Sequence, residues 1–339
     1  MSKLLTRDDF RKGVFARDNH CVICSAEGKD AHHIMDRRLF DNGGYFLDNG
    51  ATLCEQHHLL AEQTVLSCEE IRAAIGIATV VLPDHLYSDE RWDKWGNMIL
   101  TDGRRIRGEL FHDESVQKIL AAGGVLPLFL KWMKYPRTYH LPNSPGRTDD
   151  DRVFQDTSCF QGKRVIITEK RDGENTTLYT DYVHARSVDS PSDPTKDWIK
   201  NYQSQIGWNV PQGWRVCGEN LRARHSIAYD DLASYFEAFS IWDDANMCLD
   251  WDASLEWFDL LGVAHVPILY DGLWNESLME DFIPQETTRQ EGFVVRLAEW
   301  FHYSRFRVSV AKWVRESHVQ TSHNWKRQKI ELNKLKESI

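Results

Sequence analysis

The sequence predicts an α+β protein of more than one domain, and three observations lead there. Its 339 residues exceed what one hydrophobic core usually spans. From residue 150 onward, short β-rich runs alternate with helical pieces: KRVIIT, TTLYTDYVHA, WRVCGENL, YFEAFSIWD, EGFVVRL and RVSVAKWVR against DPTKDWIKNYQSQIG and DASLEWFDLLG. That mixture reads as largely antiparallel strands with helices packed on them. Clustered cysteine and histidine residues are confined to the first seventy or so positions, which marks a separate unit there.

Taken in order, residues 1–70 form the first unit. Residues 71–132 form a mixed helical connecting or substrate-binding region. CEEIRAAIG reads as a helix whose acidic start suits the helix dipole. DESVQKILAAGG reads as a second, with acids in its first turn and glycine at its end. KYPRTYHLPNSPGRTDDDR then brings three prolines among turn residues, so the boundary falls near 132 and the last domain covers 133–339. The tail NWKRQKIELNKLKESI is expected to end as a solvated helix over its last ten residues.

Composition narrows the class. Apolar residues make up 42% of the chain, and thirteen tryptophans argue against disorder. The longest apolar runs, VVL and GVLPLFLKWM, are too short or too interrupted to span a bilayer. The first twenty residues are charged throughout and lack the apolar stretch of a signal peptide, so a soluble, cytoplasmic protein without a membrane partner is expected. A net charge of −10 does not advertise nucleic-acid binding, but residues 302–336 are rich in Arg and Lys, and a local basic face can hold phosphates. Of seven cysteines, Cys21, Cys24 and Cys54 cluster beside histidines, while Cys68, Cys159, Cys217 and Cys248 stand singly. That is metal-site spacing plus ordinary buried thiols, not a disulfide framework.

The clustered residues lie in CVIC (21–24) and CEQHH (54–58). Two such knuckles make a tetrahedral zinc site from Cys21, Cys24, Cys54 and His57 plausible. Between and beside them stand His32–His33, Asn49 and His58. This order, over about residues 15–65, resembles the HNH nucleases, with His57 where a second cysteine is usual. The resemblance implies a ββα-metal, treble-clef-like finger. His33 would be the general base, its ring oriented by the Asn49 region, and His32 and His58 would hold a catalytic divalent metal. Such a metal polarises a phosphate while a near-neutral histidine takes a proton from water.

The second constellation centres on TEKRDGENTTLY (168–179), where Lys170 follows a β-branched apolar run and precedes Asp172 and Gly173. A structural lysine prefers water, so this placement suggests chemistry. KxDG is short, but HARS (184–187), CGENLRARHSIAY (217–229), YFEAFSIWD (235–243), EGFVVR (291–296) and VAKWVR (310–315) follow it in order. That series resembles ATP-dependent RNA ligases of the covalent nucleotidyltransferase superfamily, in their nick-sealing branch, over about residues 133–325. KYPRTYHLPNSPG and HVQTSHNW also look like this group. The fold implied is an antiparallel-sheet nucleotidyltransferase domain, ATP-grasp-like.

By that resemblance Lys170 is the nucleophile that accepts AMP. Its amine must be neutral to attack, so its pKa should be lowered by burial and by a nearby cation, Lys312. Glu169, Asp172, Gly173, Asn175, Arg186, Glu219, Phe239, Glu291 and Lys312 would bind the nucleotide, with Asp172 and Gly173 shaping the turn. Arg186 would hold a ribose or phosphate, and Glu219 the nucleoside sugar or a metal. Phe239 would stack on adenine, with Phe236 its rival. Glu291 would bind Mg2+ or Mn2+. The family's last motif often carries two lysines separated by one residue; here the first position is Val310.

The combined expectation is an ATP-dependent polynucleotide ligase, acting on nicked or broken RNA, on DNA or on an RNA–DNA hybrid. It would join 3′-hydroxyl to 5′-phosphate ends through lysyl–AMP and an adenylylated 5′ end. Its cofactors would be ATP, Mg2+ or Mn2+, and Zn2+. The HNH family's products are the ends such a ligase needs, so the finger would cut or grip nucleic acid. The alternatives are an HNH nuclease regulated by a ligase-like nucleotide sensor, and a DNA nick ligase. No oligomeric state follows from the sequence.

Overall fold

The computed structural model describes residues 3–188, 196–284, 289–316 and 330–336. The chain divides into two compact units, Met1–Met133 and Lys134–Ile339. No helix among the described residues is long and apolar enough to cross a membrane.

The first unit opens with α1 (Arg7–Asp18), capped by Thr6, whose side chain accepts from the Asp9 amide. Two short strands follow, β1 (Asp30–His33) and β2 (Gly50–Leu53), paired antiparallel with His33 opposite Gly50. Then come α2 (Glu55–Glu62) and α3 (Cys68–Ile75). Ser67 and Glu70 close a capping box on α3, and Gly76 ends it in the left-handed conformation. Ile34, Met35, Leu53 and Ile71 form the centre of this core. A three-stranded sheet follows: β3 (Arg91–Trp92), β4 (Met98–Ile99) and β5 (Arg105–Ile106). Helix α4 (Glu114–Ala122) completes the unit, its N-terminus capped by Asp113. The three strands are absent from the sequence reading of 71–132, because two-residue strands are too short to show a period of two.

The second unit holds two sheets. One contains β7 (Arg164–Lys170), β13 (Ile268–Leu273), β14 (Gly292–Leu297), β16 (Val310–Val314) and β6 (Tyr139–His140), in the order β13-β7-β14-β16-β6. Only its β16–β6 pair is parallel. The other contains β8 (Glu174–Leu178), β9 (Val183–Ala185), β10 (Arg215–Asn220), β11 (Phe236–Trp242), β12 (Met247–Cys248) and β15 (Phe301–His302), in the order β15-β12-β11-β10-β8-β9. Helices α5 (Asp197–Ile206), α6 (Trp251–Leu261) and α7 (Leu278–Asp281) join them. The run KRVIIT becomes β7 because both of its faces are buried: Ile166 packs with Phe236 and Trp251, while Val165 and Ile167 pack with Phe293 and Trp313.

The tail departs from expectation. Residues 330–336 are not a solvated helix. Leu332 bridges Ala223, Leu335 bridges Leu232, and Asn333 is buried between them. The rest of the tail, and HVQTSHNW, lie outside the described residues.

Candidate functional site

Among the described residues, the first unit carries two neighbouring sets of chemistry-bearing side chains and the second unit a cavity lined by them. In the first unit, Cys54 is the N-cap of α2, so the helix's first turn carries His57 and His58 away from the two-strand ribbon's end. Cys21, Cys24, Cys54 and His57 gather with all four ligand atoms within 4.8 Å of one another. The Cys24 and Cys54 sulfurs are 3.8 Å apart. His57 Nδ1 lies 3.5 Å from the Cys21 sulfur and 3.3 Å from that of Cys54. Tetrahedral zinc with bonds of about 2.3 Å separates its sulfurs by about 3.8 Å, so this donor set fits that ion. Burial raises the Cys21 thiol, but the backbone amides of Cys54, Ile23 and Cys24 outweigh it and bring its pKa down to about 6, which favours the ligating thiolate.

Neighbouring residues on a strand point to opposite faces, and β1 separates His32 from His33 in that way. His32 meets α2. Its Nδ1 is 3.4 Å from Glu62 Oε1, and the same oxygen is 3.3 Å from His58 Nε2. His32, His58 and Glu62 thus form a second set able to hold a cation. Both His32 ring nitrogens are buried without a hydrogen-bond partner among the described residues, as expected of groups that complete their coordination with a ligand. His33 stacks on Phe10 at 4.4 Å and meets the Tyr45 edge at 5.2 Å. Burial first, then the Lys94 charge, pulls the His32 imidazole down to about 3 and His33 to about 4, so both are neutral at pH 7.

The Asn49 expectation needs correction. Its side chain does not reach the His33 ring; it ties the backbone of Met35 and Gly44. Aromatic contacts hold the ring instead. The sequence reading also missed Glu62 and Lys94. The buried Lys94 ammonium donates to the His33 carbonyl at 2.9 Å and pairs with Glu62 at 3.2 Å. Glu62 sits four residues after His58 on α2, a spacing the sequence displays. Lys94 comes from the β3–β4 turn and gives no local signal.

In the second unit, a cavity of about 270 Å³ lies between the two sheets. Glu169, Lys170, Asn175, Arg186, Glu219, Phe239 and Lys312 all line it. Lys170 is the last residue of β7, opposite Gly292 of β14, and its ammonium hydrogen-bonds to Glu291. Lys312 on β16 lies opposite Val294. Asn175 on β8 and Glu219 on β10 are paired across the other sheet. Phe239 meets Tyr135 edge-on at 5.1 Å, whereas its rival Phe236 is fully buried in the core.

The turn after Lys170 is fixed by its neighbours. The Asp172 amide donates to the Tyr229 hydroxyl, and its carboxylate accepts from the Ser226 and Ile227 amides. Gly173 sits so close to β10 that an added Cβ would lie 2.6 Å from the Asn220 carbonyl oxygen. Its amide donates to Glu219 at 3.2 Å. Arg171 rests over the Tyr229 ring at 4.9 Å and reaches Glu169 and Glu237.

The charge state of Lys170 differs from the sequence expectation. Burial lowers its pKa, but Glu291, Glu219 and Asp172 together outweigh burial and raise it above the usual 10.5. Lys312 does not reverse this; its own pKa is lowered by burial and then by Lys170. With three carboxylates beside one amine, the ligand-free lysine is an ammonium. Glu219 bears the counterpart effect: burial, then the charges of Glu291 and Asp172, carries it up to about 8 against the pull of Lys170. Asn175 Oδ1 is buried without a hydrogen-bond partner among the described residues. A cavity lined by aromatic rings, by lysine and arginine side chains and by an orphan acceptor fits a nucleotide. Tyr135, Arg137 and Asp151 also line it. They fall within KYPRTYHLPNSPGRTDDDR, whose turn residues give no sign of a site.

Residues 163–314 match the RNA ligase family model, a span that runs from before Lys170 to past Lys312. Among solved structures, the chain is similar to a Naegleria gruberi RNA ligase mutant with ATP and Mn, at 17% identity over 56% of this chain and 58% of that one, with a TM-score of 0.40. It is similar to the same organism's RNA ligase with PPi at 17% identity, again over 56% and 58%, with a TM-score of 0.39. An archaeal ATP-dependent RNA ligase shares 16% identity over 56% of this chain and 49% of that one, with a TM-score of 0.40. The chain thus spans about half the length of these ligases. No curated protein matches it.

Proposed function

We propose that the chain is an ATP-dependent polynucleotide ligase that seals RNA ends, with an N-terminal HNH-type module that cleaves or grips the same nucleic acid. The observation that carries the reading is Lys170, placed at a strand end in a nucleotide-sized cavity inside the RNA ligase segment. In domain terms, the HNH-type module is 1–70, the connecting region 71–132 and the nucleotidyltransferase domain 133–339.

Lys170 first loses its proton to solvent, which breaks its hydrogen bond to Glu291. Its neutral nitrogen then attacks the α-phosphorus of ATP; the N–P bond forms, the bond to pyrophosphate breaks, and lysyl–AMP results. Lys312 and Arg186 hold phosphate oxygens, Phe239 stacks on the base, and Asn175 and Glu169 complete the nucleotide's contacts. Glu219, protonated near neutral pH, donates to the ribose. Glu291, released from Lys170, would hold Mg2+ or Mn2+, which would supply positive charge against the phosphates. AMP passes to a 5′-phosphate, and a 3′-hydroxyl then displaces it to seal the strand.

In the first unit, Cys21, Cys24, Cys54 and His57 would hold structural Zn2+. His32, His58 and Glu62 would hold a divalent cation, which would polarise a phosphodiester. His33, kept neutral, would take the proton of the attacking water.

The test is incubation with Mg2+ and ATP labelled at its α-phosphate, wild type beside Lys170→Ala. A covalent label on wild type alone supports the reading. No label, even with pyrophosphatase present, refutes it. Nicked RNA, DNA and hybrid duplexes then decide the substrate, and metal-dependent cleavage lost in His33→Ala would establish the nuclease role.

A further inference from the structure

The Lys170 turn is not supported by its own sheets alone. Asp172 accepts from the Ser226 and Ile227 amides at 2.8 and 2.9 Å and donates its own amide to the Tyr229 hydroxyl at 3.0 Å. The segment 221–232 therefore clamps the turn from behind. That segment forms no strand or helix, and Leu221, Ile227, Tyr229 and Leu232 make a small core of their own. Its backbone is held instead by residues 330–336. The Arg224 amide donates to the Glu331 carbonyl at 2.9 Å, and the Asn333 amide to that of Arg222 at 3.0 Å. The Lys334 amide donates to the Tyr229 carbonyl at 2.9 Å. Leu232 donates to Lys334 and accepts from Lys336.

Asn333 is the centre of this contact. It is 3% exposed. Its Nδ2 donates to the Leu221 carbonyl at 2.7 Å, and its Oδ1 accepts from the Tyr229 amide at 3.0 Å. A side-chain amide that bonds one backbone donor and one backbone acceptor fixes their separation, since removing it leaves both buried groups unpaired. Tyr229 then carries the constraint to Asp172 through its hydroxyl and to Arg171 through its ring. Those two residues flank Lys170.

We infer that Asn333 is a positioning residue for nucleotide transfer, acting through Tyr229 and Asp172 to set where the Lys170 amine sits. This rests on the function proposed above. The strap 330–336 does not touch the cavity; it stiffens the loop that orients the nucleophile. Catalysis by a preplaced nucleophile loses rate when that placement loosens, while binding of the nucleotide, whose contacts lie on the two sheets, changes little.

The experiment follows single-turnover formation of lysyl–AMP in the full chain, for wild type, Asn333→Ala, Tyr229→Phe and the double variant. Expected are a rate loss of about tenfold in Asn333→Ala with KM for ATP changed by less than about threefold. The two substitutions should also be non-additive, the double variant being little slower than the slower single one, because both break one chain of contacts. Asn333→Ser, which keeps one side-chain oxygen, should recover part of the rate and serves if the alanine variant does not fold. Unchanged rates, a loss that tracks only the unfolded fraction, or strictly additive effects overturn the inference while leaving the ligase reading intact. Wild type that takes no label overturns both.

Discussion

Lys170 is held as an ammonium by the acids around it. A folded-state pKa above 10.5 means that keeping Lys170 charged stabilises the fold below the unfolded lysine's pKa while its acid partners are ionised, an effect lost as pH rises through the raised value. The consequence is measurable with an amine-acylating reagent followed by mass spectrometry. In ligand-free protein, Lys170 should begin to react only at higher pH than exposed lysines such as Lys118. Glu291→Gln removes the carboxylate that accepts its hydrogen bond, so the onset for Lys170 should move to lower pH. An onset unchanged by that substitution would show that Glu291 does not control the proton. The placement of Lys170 at a strand end was legible in the sequence, because a lysine closing an apolar β-branched run contradicts its own solvation. Its protonation state was not legible. That depends on Glu219 and Glu291, which stand 49 and 121 positions further along the chain and meet Lys170 only when β10 and β14 are in place.

At the scale of elements, β14 couples the nucleophile to its cationic neighbour. Gly292 lies opposite Lys170 on one side and Val314 on the other. A Cβ there would come within 2.0 Å of the Trp313 carbonyl oxygen, a backbone atom that cannot swing aside. Gly292→Ala should therefore force β16 away from β14, costing about 1–3 kcal/mol by overpacking. It should also slow lysyl–AMP formation, because Lys312 rides on β16. Thermal unfolding and single-turnover labelling check the two effects; a variant as stable and as fast as wild type would mean the strands yield without cost. The long strands were legible because apolar runs between turn residues carry their own signal. The helices α3 and α4 announced themselves through acids at their starts and glycines at their ends. The tail misled for a physical reason: a polar, charged stretch looks solvated, yet among its described residues Asn333 is buried, and its two bonds are to backbone that the sequence does not mark.

At the scale of the molecule, each chemistry-bearing cluster is complete within one unit. The cysteine–histidine set and the His32, His58, Glu62 set draw on residues before Met133, and the Lys170 cavity draws on residues after it. Cys21 lies in the first unit's core and Cys54 packs against it, so a zinc ion held there by four ligands would contribute to that unit's folding energy. Stripping the protein with a chelator selective for transition metals over Mg2+ should unfold that unit. Cys24 and Cys54 should then react with a thiol reagent at pH 7.5. Cys68 should become reactive only as the surrounding core opens, since burial in the folded unit pushes its thiol up to about 12. In the second unit Cys159 and Cys248, held up to about 11 by burial, should stay inert throughout. Lysyl–AMP formation in excess Mg2+ should survive the treatment, because no residue lining its cavity comes from the first unit. Sealing of a nicked duplex should fall if the first unit grips the nucleic acid. Labelling lost together with zinc, and restored by adding it back, would instead show that the first unit's metal site is needed for the chemistry of the second.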